Sequence, residues 1–175
     1  MKRNLILLIG LLVLLSSSLS AKNFGYGLGM YGQSVLQDEG ASSGGVELSF
    51  VYQPWLLPVG NPSVHIKGAF GSDMAGTLTF PYVELGISAD LFRVIDHPFN
   101  FFANNIVAYD PAISVAYHFD LQDSSHLLSV GFSPFKLSQK DYWYEFFAFY
   151  VVMDIGTRTV DTWGINLVRY TYLFK

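Results

Sequence analysis

The sequence predicts an all-β fold, a closed antiparallel up-and-down β-barrel, from three observations. Apolar and polar residues alternate with a period of two along short stretches that are separated by turn residues. The polar face of most stretches carries glycine, serine and alanine rather than charge. Charged residues make up 14% of the 175 residues, against about 25% in a typical soluble domain. A soluble exported protein with so few charges would have difficulty covering its surface.

The N-terminus predicts a cleaved secretory signal peptide over residues 1–21, which leaves a single domain over residues 22–175. Lys2 and Arg3 precede an apolar run over residues 5–15 that only Gly10 interrupts, and small residues follow over 16–21. This run is shorter than the roughly 20 residues that a membrane-spanning helix needs. The chain has no cysteine, which excludes disulfides and a lipid-modified N-terminal cysteine.

The charge of the mature chain argues against a nucleic-acid partner. Removal of Lys2 and Arg3 leaves 8 of the 10 basic residues against 14 acidic residues, a net charge of −6. Phosphate contacts require a basic patch, so we expect no nucleic-acid binding.

Nine stretches are candidate strands: residues 24–30, 46–53, 64–71, 77–92, 99–109, 112–121, 128–133, 142–153 and 163–174. Residues 77–92 change phase beside Pro81, which predicts a bulge because proline has no N–H for the strand ladder. A single-chain bacterial barrel normally has an even number of strands. We therefore predict eight strands, with residues 99–109 partly loop. The alternative is ten strands, with residues 77–92 divided into two.

The distribution of polarity predicts a transmembrane barrel. Large apolar residues occupy one face of each stretch, and small residues on the other face suit the interior of a barrel of about eight strands. Eight polar residues are expected to face the lumen: Glu47, His65, Lys67, Glu84, Asp90, His118, Asp120 and Arg169. Because both acids and bases occur, they predict either an ion-pair network that fills the lumen or a polar pathway for a small solute.

Aromatic residues cluster near the ends of the candidate strands, as in the two interfacial girdles of membrane barrels. The predicted interfacial aromatics are Tyr52, Trp55, Tyr109, Tyr142, Trp143 and Trp163.

The last stretch resembles the closing strand of bacterial outer-membrane β-barrels. Tyr170, Tyr172 and Phe174 share one face with Val168. The resemblance implies that this strand pairs with the first strand and is recognised by the outer-membrane barrel assembly machinery. The usual ending is a terminal aromatic residue, whereas here Lys175 follows Phe174.

In size and layout, the chain is similar to the OmpA transmembrane domain and the OmpW group. That resemblance implies location in the outer membrane of a diderm bacterium, with outer-membrane lipid as a partner. The predicted role is structural or surface-interaction, with a narrow, side-chain-filled lumen. The alternatives are a small porin-like channel for hydrophobic or small polar solutes, and a secreted soluble barrel that binds an apolar ligand.

Neither catalysis nor a cofactor is expected from the motifs present. His126 lies close in sequence to Ser124, Ser125 and Ser129, but a nucleophilic serine needs a base that a third group orients. The chain has no H-E-x-x-H motif and no close histidine pair for a metal. The alternating glycines at 25, 27 and 29 lack the spacing of a dinucleotide-binding loop.

Overall fold

The computed structural model describes residues 23–36, 42–54, 60–73, 75–98, 107–122 and 124–174. Among the described residues, no helix is long and apolar enough to cross a membrane. The predicted signal peptide and Trp55 lie outside these ranges. The described strand segments are β1 (Phe24–Val35), β2 (Ser42–Tyr52), β3 (Ser63–Asp73), β4 (Leu78–Thr79), β5 (Tyr82–Asp90), β6 (Ala108–Tyr109), β7 (Ala112–Asp120), β8 (His126–Ser133), β9 (Phe135–Ser138), β10 (Tyr142–Asp154) and β11 (Val160–Leu173).

The sheet closes on itself because β11 pairs with both β10 and β1, and every pairing is antiparallel. Prolines interrupt three of the strands, since each removes one ladder donor: Pro81 separates β4 from β5, Pro111 separates β6 from β7, and Pro134 separates β8 from β9. Within the described residues, the eleven segments therefore form eight barrel strands, as predicted. Of the weakest candidate, residues 99–109, the structure describes residues 107–109, and these carry the short segment β6.

The two ends of the barrel differ in their connections. The near end, where β1 begins and β11 ends, carries the connections 53–62, 91–107 and 139–141. The far end carries 36–41, 74–77, 121–125 and 155–159. Both chain termini of the barrel lie at the near end, as an even number of strands requires.

The predicted bulge at Pro81 is confirmed by the register of β3 with β4 and β5. Gly68 pairs with Val83, and Gly71 pairs with Thr79, so residues 80–82 oppose only residues 69–70. This extra residue changes the face on which the following side chains lie. Phe80 is exposed, whereas Tyr82 is buried at 3% exposure and lies inside.

A second change of phase occurs in β10 and β11 at the same level of the barrel. The buried positions of β10 change from Glu145 to Ala148, and those of β11 change from Asn166 to Arg169. Phe147 sits at this point with φ 51°, in the left-handed region. Because both strands shift together, their mutual register is the same on either side of the bulge.

The polarity of the barrel is the reverse of that in a soluble barrel. On β2, the outward residues Leu48 and Phe50 are 48% and 70% exposed. Glu47 and Ser49, which alternate with them, are 1% and 3% exposed. The same alternation continues around the sheet, so the described outer surface is an apolar band and the interior is mostly polar.

Glycine is required in the interior where a neighbouring strand places a large side chain. Gly164 on β11 pairs with Tyr150 on β10, and a Cβ atom at Gly164 would overlap the Tyr150 ring, with Cε1 only 2.7 Å away.

We expect Gly164→Val to lower the free energy of unfolding by about 1–3 kcal/mol, the usual cost of overpacking a filled interior. Urea titration of the barrel in lipid vesicles measures this change. Gly68→Val is the matched control, since a Cβ atom there meets nothing within 4 Å. Equal stability of the two variants would show that the Tyr150 ring does not fill this space.

Candidate functional site: the polar interior

The centre of the interior is an ion-pair cluster around Arg169 on β11. Its Nη1 donates to Glu145 Oε2 at 3.0 Å, and its Nε donates to Glu47 Oε1. Arg169 and Glu145 are direct cross-strand partners. Glu47 reaches Arg169 across β1, because Gly29 pairs with both residues and has no side chain to separate them. The alternating glycines of β1 therefore make room for this cluster.

Hydroxyl groups satisfy further acceptor positions on both carboxylates. The Tyr82 hydroxyl donates to Glu47 Oε2 at 3.3 Å, and the Ser133 hydroxyl donates to Glu145 Oε1 at 2.8 Å. Buried carboxylates are tolerated only when they are paired and hydrogen-bonded. These contacts meet that requirement.

A second cluster surrounds Glu84 on β5. Glu84 pairs in register with Lys67 on β3 and with His118 on β7. Lys67 Nζ donates to Glu84 Oε1 at 2.6 Å, His65 Nε2 lies 3.2 Å from the same oxygen, and His118 Nδ1 lies 3.7 Å from Oε2. The ring of Tyr82 packs against that of His118, with centroids 4.4 Å apart. All of these side chains are buried.

Two further ion pairs lie towards the near end. Lys136 Nζ is 2.5 Å from Asp90 Oδ1, and Asn61 donates to Asp90 Oδ2 at 3.0 Å. Arg93 binds Asp110 through two hydrogen bonds of 2.9 and 2.8 Å. This hydrogen bonding to the carboxylate raises the pKa of Arg93 above its ordinary value. Asp110 is fully buried, and the two hydrogen bonds from Arg93 hold its carboxylate at the near end.

The cavities between these clusters are small. One of about 30 Å³ lies among Ser49, His65, Lys136 and Arg169, and another of about 20 Å³ lies beside Glu84 and Tyr150. Such volumes admit one or two water molecules. At the far end, an open vestibule of about 230 Å³ is lined by polar residues that include Gln33, Asp73, His118, Asp120 and Thr162. The interior therefore narrows from this vestibule to a packed polar centre.

The structure brings most of the predicted lumen residues together. Seven are buried inside the barrel: Glu47, His65, Lys67, Glu84, Asp90, His118 and Arg169. Asp120 is half-buried at the far mouth, where its Oδ1 accepts a hydrogen bond from Gln122 N at 2.7 Å.

Four of the predicted interfacial aromatics are at least partly exposed. Tyr52, Tyr109 and Tyr142 are partly exposed at the near end, and Trp163 is 48% exposed on the outer surface.

The prediction for Trp143 is wrong, because this side chain lies inside the barrel at 7% exposure. It packs there with Val51 and Leu173. Lys136 Nζ lies 4.9 Å from the centroid of its ring. Trp143 shares the inward face with Glu145, two residues later, and the bulge at Phe147 concealed this phase in the sequence.

The three aromatic residues of the predicted closing strand, Tyr170, Tyr172 and Phe174, lie on its outer side. Tyr170 contacts Tyr144 on β10 with ring centroids 5.0 Å apart. Tyr172 and Phe174 both contact Tyr26 on β1, with ring centroids 6.1 and 5.9 Å apart. The predicted pairing of this strand with the first strand is confirmed.

Sequence reasoning missed four charged members of the interior: Arg93, Asp110, Lys136 and Glu145. Glu145 is the only charge in its stretch, which was a usable signal. Asp110 precedes Pro111, and this dipeptide is typical of a turn, although Asp110 belongs to a strand that the proline interrupts. Arg93 lies in a connection, where no alternation assigns it a face.

His126 and Ser129, two of the residues that were considered for catalysis, lie on opposite faces of β8. His126 is exposed on the outer surface beside the Tyr117 hydroxyl, whereas Ser129 is buried inside at 4% exposure. The described residues contain no group of three potential metal ligands among His, Asp and Glu.

In comparisons with known proteins, no family model and no curated protein matches this chain. Its own geometry must therefore carry the functional argument.

Proposed function

We propose that this protein is an integral outer-membrane β-barrel with a structural or surface-interaction role and a lumen filled by side chains. The observation that carries the proposal is the reversed polarity of a closed barrel. An apolar band surrounds an interior of paired charges. Apolar surface of this extent is unfavourable in water and favourable in hydrocarbon. Closure also leaves no unpaired strand edge in the lipid.

Three further features support this proposal. Five strands are 11–14 residues long: β1, β2, β3, β10 and β11. This length suffices, because a tilted strand needs about 9–11 residues to cross a bilayer. Tyrosine and phenylalanine rings cluster at the near end of β10, β11 and β1. The predicted signal peptide would direct the chain to secretion. The closing strand would then be recognised by the barrel assembly machinery.

The ends of the barrel suggest an orientation in which the near end, with both termini, faces the periplasm. The far end would then face outward with connections of only four to six residues. It is acidic, because Asp73, Asp120, Asp154 and Asp161 lie there with Arg158 as the only lysine or arginine among its described residues. Bacterial barrels usually carry their longer loops outside. With these short connections, the outward end would project little beyond the membrane and would offer contact area only for a small or flat partner.

A small channel is the second candidate, favoured by the polar interior and the open far vestibule. The packed ion pairs at the centre favour the closed lumen instead. We expect the wild-type protein to give no current steps in planar bilayers. Reproducible steps from purified, folded protein would replace the closed-lumen proposal with the channel. The soluble barrel with an apolar ligand needs its aromatic face inside, and in the described residues that face lies mostly outside.

Membrane residence is tested by cell fractionation together with gel mobility. The protein should pellet with the outer membrane, require detergent for extraction, and migrate differently in unheated and boiled samples. Recovery of the mature protein in a detergent-free soluble fraction would contradict the proposal.

A further inference from the structure

An open groove lies in the apolar band on the outer surface of β3, β5 and β7. Its volume is about 280 Å³, and it lies at the near-end half of these strands. Branched aliphatic side chains form its sides, Pro54 and Pro62 form its near-end rim, and its lining is almost entirely apolar. The aliphatic lining residues are Val64, Ile87, Ala89, Ile113 and Val115.

The groove follows from the side chains that these strands carry. Ala89 is the smallest outward side chain on this part of the wall, and it pairs in register with Ile113. On the inner side, Ser63, Ser88 and Ser114 lie next to one another across the three strands. Ser63 Oγ and Ser88 Oγ are 2.7 Å apart and share a hydrogen bond. The polar groups of this wall are therefore directed inward, and the outer depression at Ala89 remains apolar.

We propose that this groove holds one acyl chain of a membrane lipid. The proposal rests on the membrane location argued above, because the groove continues the apolar band that would contact lipid. Its lining offers nothing polar enough to orient a charged ligand or a lipid headgroup.

The strands and the size of the groove argue against other occupants. β5 pairs with β3 on one side and with β7 on the other, so a peptide could not add to the sheet as a further strand. The volume is slightly below the range of about 300–1,000 Å³ that drug-sized ligands occupy. A single flexible chain fits such a groove, and a bulky ring system does not.

Native mass spectrometry of the barrel released from mild detergent tests this inference. We expect wild type to retain one lipid per barrel and Ala89→Trp to lose it, because the indole would occupy the groove. Leu167→Trp is the matched control on β11, on the opposite wall of the barrel, where Leu167 is already 45% exposed on the apolar band. This control should retain the lipid.

Folding is checked by the difference in mobility between unheated and boiled samples, and Ala89→Ile replaces Ala89→Trp if the larger side chain prevents folding. Equal lipid retention by the filled-groove variant and wild type would overturn the inference, as would a wild-type barrel without lipid. Those results would leave the membrane proposal standing if the protein still needs detergent. A protein that is soluble without detergent would instead refute the membrane proposal itself.

Discussion

Arg169→Met is expected to lower the free energy of unfolding by about 3–5 kcal/mol, the usual cost of leaving a buried charge without its partner. Arg169 is the only cation in direct contact with Glu47 among the described ion pairs, and it also binds Glu145. These carboxylates are 1% and 8% exposed, so water cannot replace the guanidinium. Two like charges would remain close together inside the barrel.

Urea titration of the barrel in lipid vesicles measures this effect. The triple variant Arg169→Met/Glu47→Gln/Glu145→Gln should recover most of the lost stability, because it removes the unpaired charges along with the cation. Lys140→Gln is the control, since Lys140 is an exposed cation in a near-end connection. If Arg169→Met unfolds at the same urea concentration as Lys140→Gln, Arg169 does not hold the interior together.

Glu84→Gln should lower the free energy of unfolding by a comparable amount, because it removes a buried anion and leaves a cation unpaired. The substitution keeps the shape of the side chain but leaves Lys67, which is 8% exposed, without its carboxylate at 2.6 Å. We expect a loss of about 3–5 kcal/mol, since the ammonium stays buried and unpaired. The two histidines of this cluster cannot compensate, because they are donors or neutral acceptors rather than anions.

A double-mutant cycle with Lys67→Met separates this pairing from simple loss of packing. The variant Lys67→Met/Glu84→Gln should be more stable than Glu84→Gln alone, because no unpaired ammonium remains. Asp96→Asn, at an exposed position in the 91–107 connection, controls for the loss of a carboxylate. Strictly additive losses in the cycle would mean that Lys67 and Glu84 are not coupled.

The sequence predicted the features that depend on alternation along one strand. The period-two pattern placed Glu47, Lys67, Glu84 and Arg169 inside before any pairing was known, because successive strand residues must face opposite sides. It failed where a bulge reverses that alternation. Trp143 was assigned to the membrane interface from its position near a strand end. The phase change near Phe147 left aromatic residues on both faces of the stretch and concealed its inward direction.

The contacts between strands could not be predicted in the same way. Arg169 and Glu47 are 122 positions apart, and they meet only because closure places both strands beside β1 at Gly29. Register of this kind is a property of the whole barrel, since a shift of one residue in a strand would direct its side chains to the opposite face. The alternating glycines of β1 leave its inner face without side chains, but nothing in that stretch indicates which carboxylate crosses it.

Quenching of a fluorophore at single cysteines tests the membrane account most directly, since the chain has no native cysteine. Phe50→Cys places the probe on the outward face of β2, where Phe50 is 70% exposed, and Thr157→Cys places it on the exposed far-end turn. In vesicles, brominated lipid chains should quench the probe at position 50, and aqueous iodide should quench the probe at position 157. Strong iodide quenching at position 50, equal to that at position 157, would contradict a lipid-facing apolar band.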